Sequence, residues 1–131
     1  MDKHDLEERL ISFAVLIIEI VESMPDTRAA IHLSGQLLRS GTSPALNYGE
    51  AQSGESRRDF IHKIKIVLKE LRESNICLKI IYRSKLYRNE EKILLALKES
   101  NELISIFVKS VETAQKNSQS YSNTKSEIVN R

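Results

Sequence analysis

The scarcity of helix-breaking residues is the feature that most limits how this chain can fold. Its 131 residues include only four Gly and two Pro. These residues fall at the ends of long stretches with helical periodicity or interrupt one of them, and alternating strand patterns bounded by turn residues are absent. The sequence therefore predicts an all-α fold of four helices.

The first two predicted helices are separated by a proline. Helix 1 covers about residues 5–24 and ends because Pro25 disfavours the helical conformation of the residue before it. Asp26 is the predicted N-cap of helix 2, which extends to about residue 51. We expect a kink or a restart near Pro44, since its ring clashes with the carbonyl four residues earlier.

The last two helices are recognised by their capping residues. Ser56 with Asp59 three residues later resembles a capping box and opens helix 3, which continues to about residue 85. Asn89 is the predicted N-cap of helix 4, which ends near residue 114. The polar segment that follows has few apolar side chains to bury. We therefore expect a helical domain at 1–114 and a disordered, flexible tail at 115–131.

Helix 1 has more apolar surface than one small bundle can bury. Its apolar side chains cover an arc of about 260° on a helical wheel, whereas an outer helix buries little more than a third of its circumference. The surplus predicts contacts between copies of the chain. A longer helix 2 folded over the excess is the alternative. The predicted interface residues, which include a weaker apolar set on helix 3, are Phe13, Leu16, Ile20, Ile66, Cys77 and Ile80.

Positive charge is concentrated on helix 3. The chain has 20 Lys and Arg against 18 Asp and Glu, yet residues 1–54 have a net charge of −4 and residues 55–92 a net charge of +5. Six of the helix 3 cations fall within about 80° of one another and form a ridge about 38 Å long. We call this set the basic ridge; its members are Arg58, Lys65, Lys69, Arg72, Lys79 and Arg83.

The basic ridge has three interpretations. It could contact the phosphates of a nucleic acid, without sequence specificity because no aromatic residue is interleaved to stack on bases. It could instead be a solvated outer face, or it could pair with the acidic helix 1.

The sequence offers little to support catalysis. His4, His32 and His62 are scattered, and a di-iron or di-manganese bundle would need two Glu-x-x-His pairs and two further glutamates, whereas the chain has only the spacing Asp59-x-x-His62. No glycine-rich phosphate loop is present. Cys77 is predicted to be an interface thiol rather than a nucleophile. We expect no enzymatic activity, no metal and no cofactor.

A polar stripe runs along the second half of helix 2. If the helix persists through Pro44, four side chains at spacings of 4, 4 and 3 lie on one face. A structural network that fixes helix 2 on helix 3 is one explanation, with Arg39 paired to Glu50, Glu70 or Glu73, and a ligand site is the other. The stripe consists of Arg39, Ser43, Asn47 and Glu50, with Glu70 as a predicted partner.

Three segments resemble one known family. They read RSGTSPALNYGEA at 39–51, SRRDFI at 56–61 and KELRES at 69–74. This pattern is similar to that of the four-helix bundle proteins encoded in 23S rRNA intervening sequences. The accessory protein of diversity-generating retroelements is a more distant likeness. The resemblance implies an antiparallel up-down-up-down bundle, assembled as a homopentameric ring, with no established enzymatic activity.

These observations lead to two main hypotheses about function. The first is a non-catalytic oligomeric bundle that binds RNA or another nucleic-acid backbone through the basic ridge. The second is a protein-interaction scaffold, accessory to a polymerase or another partner, that binds no nucleic acid itself. We expect a cytoplasmic protein, since no signal-peptide pattern opens the chain and its longest apolar stretch is too short to span a bilayer.

Overall fold

The chain folds into four helices and, in the residues described, no strand. The structure is a computed structural model that describes the backbone of residues 1–54 and 56–129 and the side chains of residues 1–54 and 56–118. The predicted all-α fold is confirmed. The helices are α1 (Lys3–Glu22), α2 (Arg28–Gln52), α3 (Arg57–Ser84) and α4 (Glu90–Val129).

The helices form a bundle in which neighbours in sequence are neighbours in space. α1 lies against α2 and α4, and α3 lies against the same two helices from the opposite side. Arg9 near the start of α1 pairs with Glu99, whereas Glu19 near its end pairs with Lys92, earlier in α4. α1 and α4 are therefore antiparallel, and α1 and α3 occupy diagonal corners.

The start of each of the first two helices differs slightly from the prediction. α1 begins two residues earlier because Asp2 and Asp5 form a capping box, in which the Asp5 amide donates to Asp2 Oδ1 at 2.9 Å. Thr27, rather than Asp26, caps α2, since its Oγ1 accepts from the Ala30 amide at 3.2 Å. Both helices therefore begin at side-chain caps of the expected chemical type.

α2 continues through Pro44 without a restart. Pro44 is buried in the bundle together with Ser40, Gly41 and Tyr48, so tertiary contacts hold the helix together at the point where proline removes one backbone hydrogen bond. The kink near Pro44 stays a prediction.

α4 is longer than predicted, because it continues past Ala114 to Val129. The segment after residue 90 contains neither Gly nor Pro, so its polar composition alone does not end the helix. The predicted end near residue 114 is wrong. The flexibility expected of 115–131 stays a prediction, and residues 130 and 131 lie outside the described residues.

Half of the residues predicted for an interface between copies are enclosed in the core of their own chain. Phe13 is 1% exposed and Ile20 is 0% exposed, and Cys77 is also buried. The prediction is corrected for these three. A wheel with apolar residues on most of its circumference does not indicate which side faces inward, and the outward side of α1 is instead occupied by Ile11, Val15 and Ile18.

Two sets of buried polar side chains connect α3 to its neighbours. Ser74 Oγ donates to Ser40 Oγ of α2 at 2.9 Å. Asn75 Nδ2 donates to Ser100 Oγ at 2.9 Å and to Asn101 Oδ1 at 3.1 Å, both on α4. The buried Ser74 hydroxyl and the buried Asn75 amide group thereby have hydrogen-bond partners on neighbouring helices.

Candidate nucleic-acid interface

The basic ridge is located on α3, and both ends of that helix are well defined. Ser56 Oγ accepts from the Asp59 amide at 3.1 Å, which is one half of the predicted capping box. The helix stops at Lys85, which adopts a left-handed conformation with φ of 57°. α3 buries one face against α2 and α4, so its opposite face is available to solvent.

The ridge cations are on that outer face and have no acidic partner in the described part of the chain. Five of the six are exposed, and Lys79 is half-buried. The cations within 4.0 Å of a described carboxylate are Arg9, Arg39, Lys63 and Lys92, none of which belongs to the ridge. The ridge therefore presents its positive charge to the exterior.

Pairing between the ridge and α1 within one chain is ruled out by the fold. α1 and α3 are diagonal and make no contact through their backbones. The acidic face of α1 and the basic face of α3 therefore point to opposite sides of the bundle.

An exposed apolar side chain lies in the middle of the ridge and was not among the residues predicted for this surface. Ile76 is 55% exposed, and Ile80 beside it is 47% exposed. The signal was present, since Ile76 lies four residues after Arg72 and seven before Arg83, which places it on the same face. The ridge is therefore a basic surface with an apolar centre.

The polar stripe of α2 connects that helix to α3. Arg39 Nη1 donates to Glu70 Oε2 at 3.1 Å, and Arg39 Nη2 donates to Glu73 Oε1 at 2.5 Å. Of the three acidic partners predicted for Arg39, Glu70 and Glu73 are used. Glu50 instead accepts from Lys63 at 2.5 Å, about two helical turns nearer the start of α3 than Glu70.

The middle of the stripe is satisfied within α2 itself. Asn47 Nδ2 donates to Ser43 Oγ at 2.8 Å and to the Ser43 carbonyl at 3.0 Å. Arg39 and Glu50 of the stripe thus make three ion pairs to α3, and Ser43 and Asn47 make one local contact. No member of it is left as an unpaired buried group, which favours the structural explanation over a ligand site.

Glu70 is the most buried carboxylate of this network. Its side chain is 10% exposed, and burial raises the pKa of Glu70, with a further contribution from the nearby Glu73 carboxylate. Arg39 opposes this shift through its positive charge. The hydrogen bond to Glu73 is the main reason why the pKa of Arg39 is raised, and the negative charge of Glu70 raises it further.

Cys77 does not have the environment of a catalytic nucleophile. It is buried, and its Sγ donates weakly to the Leu33 carbonyl at 3.6 Å. Burial raises the pKa of the Cys77 thiol to about 11. At neutral pH the group is therefore a thiol and not the thiolate that attacks substrates.

The dispersed polar residues do not converge on a metal site. His4, His32 and His62 are all exposed, and Asp59 is exposed at the start of α3. Among the described residues, no group of three or more His, Cys, Asp or Glu side chains is arranged to hold a metal ion.

No helix in the described part of the chain is long and apolar enough to cross a bilayer.

Comparison with known proteins places this bundle in a family. The sequence profile described as "23S rRNA-intervening sequence protein" matches residues 3–109, which include all of α1, α2 and α3 and half of α4. The chain belongs to this family. The family resemblance noted in the sequence is thereby confirmed.

A solved structure is similar to this family member over most of its length. It is the crystal structure of a protein of unknown function from the S23 ribosomal protein family of Bacteroides thetaiotaomicron. The identity is 29%, the match covers 81% of this chain and 97% of that chain, and the TM-score is 0.74. No curated protein matches the chain significantly.

Proposed function

We propose that this family member is a non-catalytic, oligomeric bundle of the cytoplasm that binds RNA along its phosphate backbone through the basic ridge. The observation that carries the proposal is the exposure of the ridge cations with no described carboxylate within ion-pair distance. The homopentameric ring implied by the family resemblance would repeat the ridge around the assembly, and avidity would strengthen each weak contact.

The mechanism is neutralisation of phosphates and release of counterions. Each phosphate contact contributes about −0.7 to −0.9 to the slope of the logarithm of affinity against the logarithm of salt concentration. Aromatic side chains that would stack on bases are absent from the ridge sequence, so affinity should depend little on RNA sequence.

Filter binding of a 40-nucleotide RNA over a salt series, starting near 50 mM, tests this proposal. We expect Arg58→Gln combined with Lys65→Gln to reduce the salt slope by about 2, since two phosphate contacts are lost. The matched control is Lys98→Gln with Lys109→Gln, which removes two exposed cations of α4. No RNA retention by the wild type near 50 mM salt, or equal slopes for both variants, would contradict the proposal.

A protein-interaction scaffold is the second candidate function. The exposed Ile76 and Ile80 favour it, because phosphates gain nothing from an apolar centre whereas protein interfaces are apolar at their core. Recovery of one specific protein, such as a polymerase, after nuclease treatment of a pull-down would support this candidate over RNA binding.

A further inference from the structure

The outer faces of α1 and α3 have the same layout and opposite charge. On α1, the exposed Ile11, Val15 and Ile18 follow a spacing of four and three residues, which places them in one stripe. On α3, Ile76 and Ile80 are the corresponding exposed apolar residues. Each apolar centre lies on a helix side that has no neighbour within its own chain.

Acidic residues surround the apolar stripe of α1. Glu8, Glu19 and Glu22 are exposed on this side of the helix, and Glu19 also approaches Lys92 at 3.4 Å. Arg9, near the start of α1, faces α4, where it pairs with Glu99 and Glu102. The outer face of α1 is therefore apolar at its centre and negative around it.

Cations surround the apolar centre of α3 over a matching length. Glu8 to Glu22 and Lys69 to Arg83 are both stretches of 15 residues, with ends about 21 Å apart along the helix. The cations within this part of the ridge are Lys69, Arg72, Lys79 and Arg83. The one acidic residue beside them, Glu73, is engaged by Arg39 of the same chain.

We propose that the outer face of α1 docks on the outer face of α3 in a second copy of this chain. The inference rests on the oligomeric part of the proposed function and assigns the two surfaces that meet. Ile11, Val15 and Ile18 of one copy cover Ile76 and Ile80 of the next, while glutamates face arginines and lysines around them.

The charges select this pairing over a symmetric one. Two α1 faces would oppose glutamates to glutamates, and two α3 faces would oppose cations to cations, which is unfavourable in both cases. Because the two faces are on diagonal helices, each copy binds one neighbour on each side. Such head-to-tail contacts generate a closed ring when the rotation between copies permits closure.

The docking also divides the basic ridge by role. The part of α3 from Lys69 to Arg83 contacts the neighbouring copy, whereas Arg58 and Lys65 lie outside the matched segment and remain available to RNA. This division accounts for an apolar centre that a phosphate-binding surface does not need.

Charge reversal in the full-length chain tests the docking. One variant has Glu8→Lys and Glu22→Lys, and the other has Arg72→Glu and Arg83→Glu. In both, two exposed charges change sign on one proposed face. Lys98→Glu with Lys109→Glu is the matched control, since it reverses two exposed charges on α4.

The readout is the mass in solution, measured by light scattering over a concentration series near 10 µM. We expect the wild type and the control to assemble, and each reversal variant to shift toward the 15.0 kDa monomer with an apparent dissociation constant raised about tenfold or more. An equimolar mixture of the two reversal variants should associate again, because acidic and basic faces meet wherever unlike copies touch. Strict alternation closes only rings with an even number of copies, so we expect the mixed species to differ in mass from a wild-type ring of five. Recovery on mixing also shows that each variant is folded.

Three outcomes would overturn the docking: a monomeric wild type at about 100 µM, reversal variants that assemble as the wild type does, or a mixture that stays monomeric. The variant with Glu8→Lys and Glu22→Lys retains the entire ridge, so its RNA binding can be measured separately. A failure of the docking is thereby distinguished from a failure of RNA binding.

Discussion

Replacement of Gly41 by alanine tests the closest approach between α1 and α2. A Cβ atom added at Gly41 would be 2.7 Å from both Cγ1 and Cγ2 of Ile17, whereas ordinary van der Waals contact begins at 3.4 Å. Ile17 is 0% exposed, and its β-branched side chain is restricted to essentially one rotamer in a helix. The overlap therefore cannot be relieved by a simple side-chain rotation.

The expected loss is the difference between two opposing effects. Overpacking of a well-packed core lowers stability by about 1–3 kcal/mol. Because the Ile17 side chain is rigid, we expect a value at the upper end of this range. Alanine in place of glycine within a helix raises stability by about 1 kcal/mol through its higher helix propensity. We expect Gly41→Ala to lower the free energy of unfolding by about 2 kcal/mol, equivalent to about 7 °C in melting temperature for a chain of this size.

Gly35→Ala is the matched control in the same helix. A Cβ at Gly35 meets no atom within 4 Å, so this variant should gain about 0.5–1 kcal/mol from helix propensity alone. Urea unfolding followed by circular dichroism, at one fixed protein concentration, compares the two variants. Equal or greater stability of Gly41→Ala relative to the wild type would show that α1 and α2 have room for a Cβ at this position.

A double-mutant cycle identifies Ile17 as the cause. Ile17→Ala removes the two closest atoms and leaves only the Ile17 Cβ at 3.0 Å, so Gly41→Ala should cost much less than about 2 kcal/mol in that background. A cost of about 2 kcal/mol that persists without the Ile17 side chain would place the strain elsewhere.

Two further predictions concern individual side chains. Burial raises the pKa of the Cys77 thiol in the folded state to about 11, whereas a free thiol has a pKa of about 8.5. The contribution of the protonated thiol to stability is therefore complete below about pH 8.5 and is lost as pH rises through about 11. The wild type should therefore lose stability relative to Cys77→Ala between these pH values. A difference in the free energy of unfolding that stays constant with pH, measured by chemical denaturation, would contradict this prediction. Arg9→Ala should lower the free energy of unfolding by about 1 kcal/mol, since the pair with Glu99 connects α1 to α4 and is three-quarters buried. Lys98→Ala, which removes an exposed charge next to Glu99 on α4, should have almost no effect in the same urea titration.

The fold was predictable because its signals are local. Ser56 and Asn89 cap α3 and α4 as predicted, with Asn89 Oδ1 accepting from the Lys92 amide at 3.1 Å. The end of α4 was not predictable from polarity, because a helix stops at a breaking residue or a cap and this segment has neither Gly nor Pro.

The candidate site was only partly predictable, because its details depend on the arrangement of helices. The wheel of helix 3 placed the basic ridge on the outer face. Helix 1 has apolar residues on so much of its circumference that Phe13 and Val15 could not be assigned to the inside or the outside. Arg39 had three carboxylates within reach, and the choice of Glu70 and Glu73 follows from how α2 and α3 align.

The buried polar contacts of α3 also determine how the bundle can move. A purely apolar seam tolerates a slide of one helical turn, about 5.4 Å, because successive turns present similar surfaces. Such a slide here would separate Ser74 from Ser40 and Asn75 from Ser100 and leave buried donors unsatisfied, at about 1–3 kcal/mol each. Ser74 and Asn75 are consecutive, so one turn of α3 fixes the longitudinal position of three helices. A partner that binds α3 therefore meets its cations at a constant height along the bundle axis.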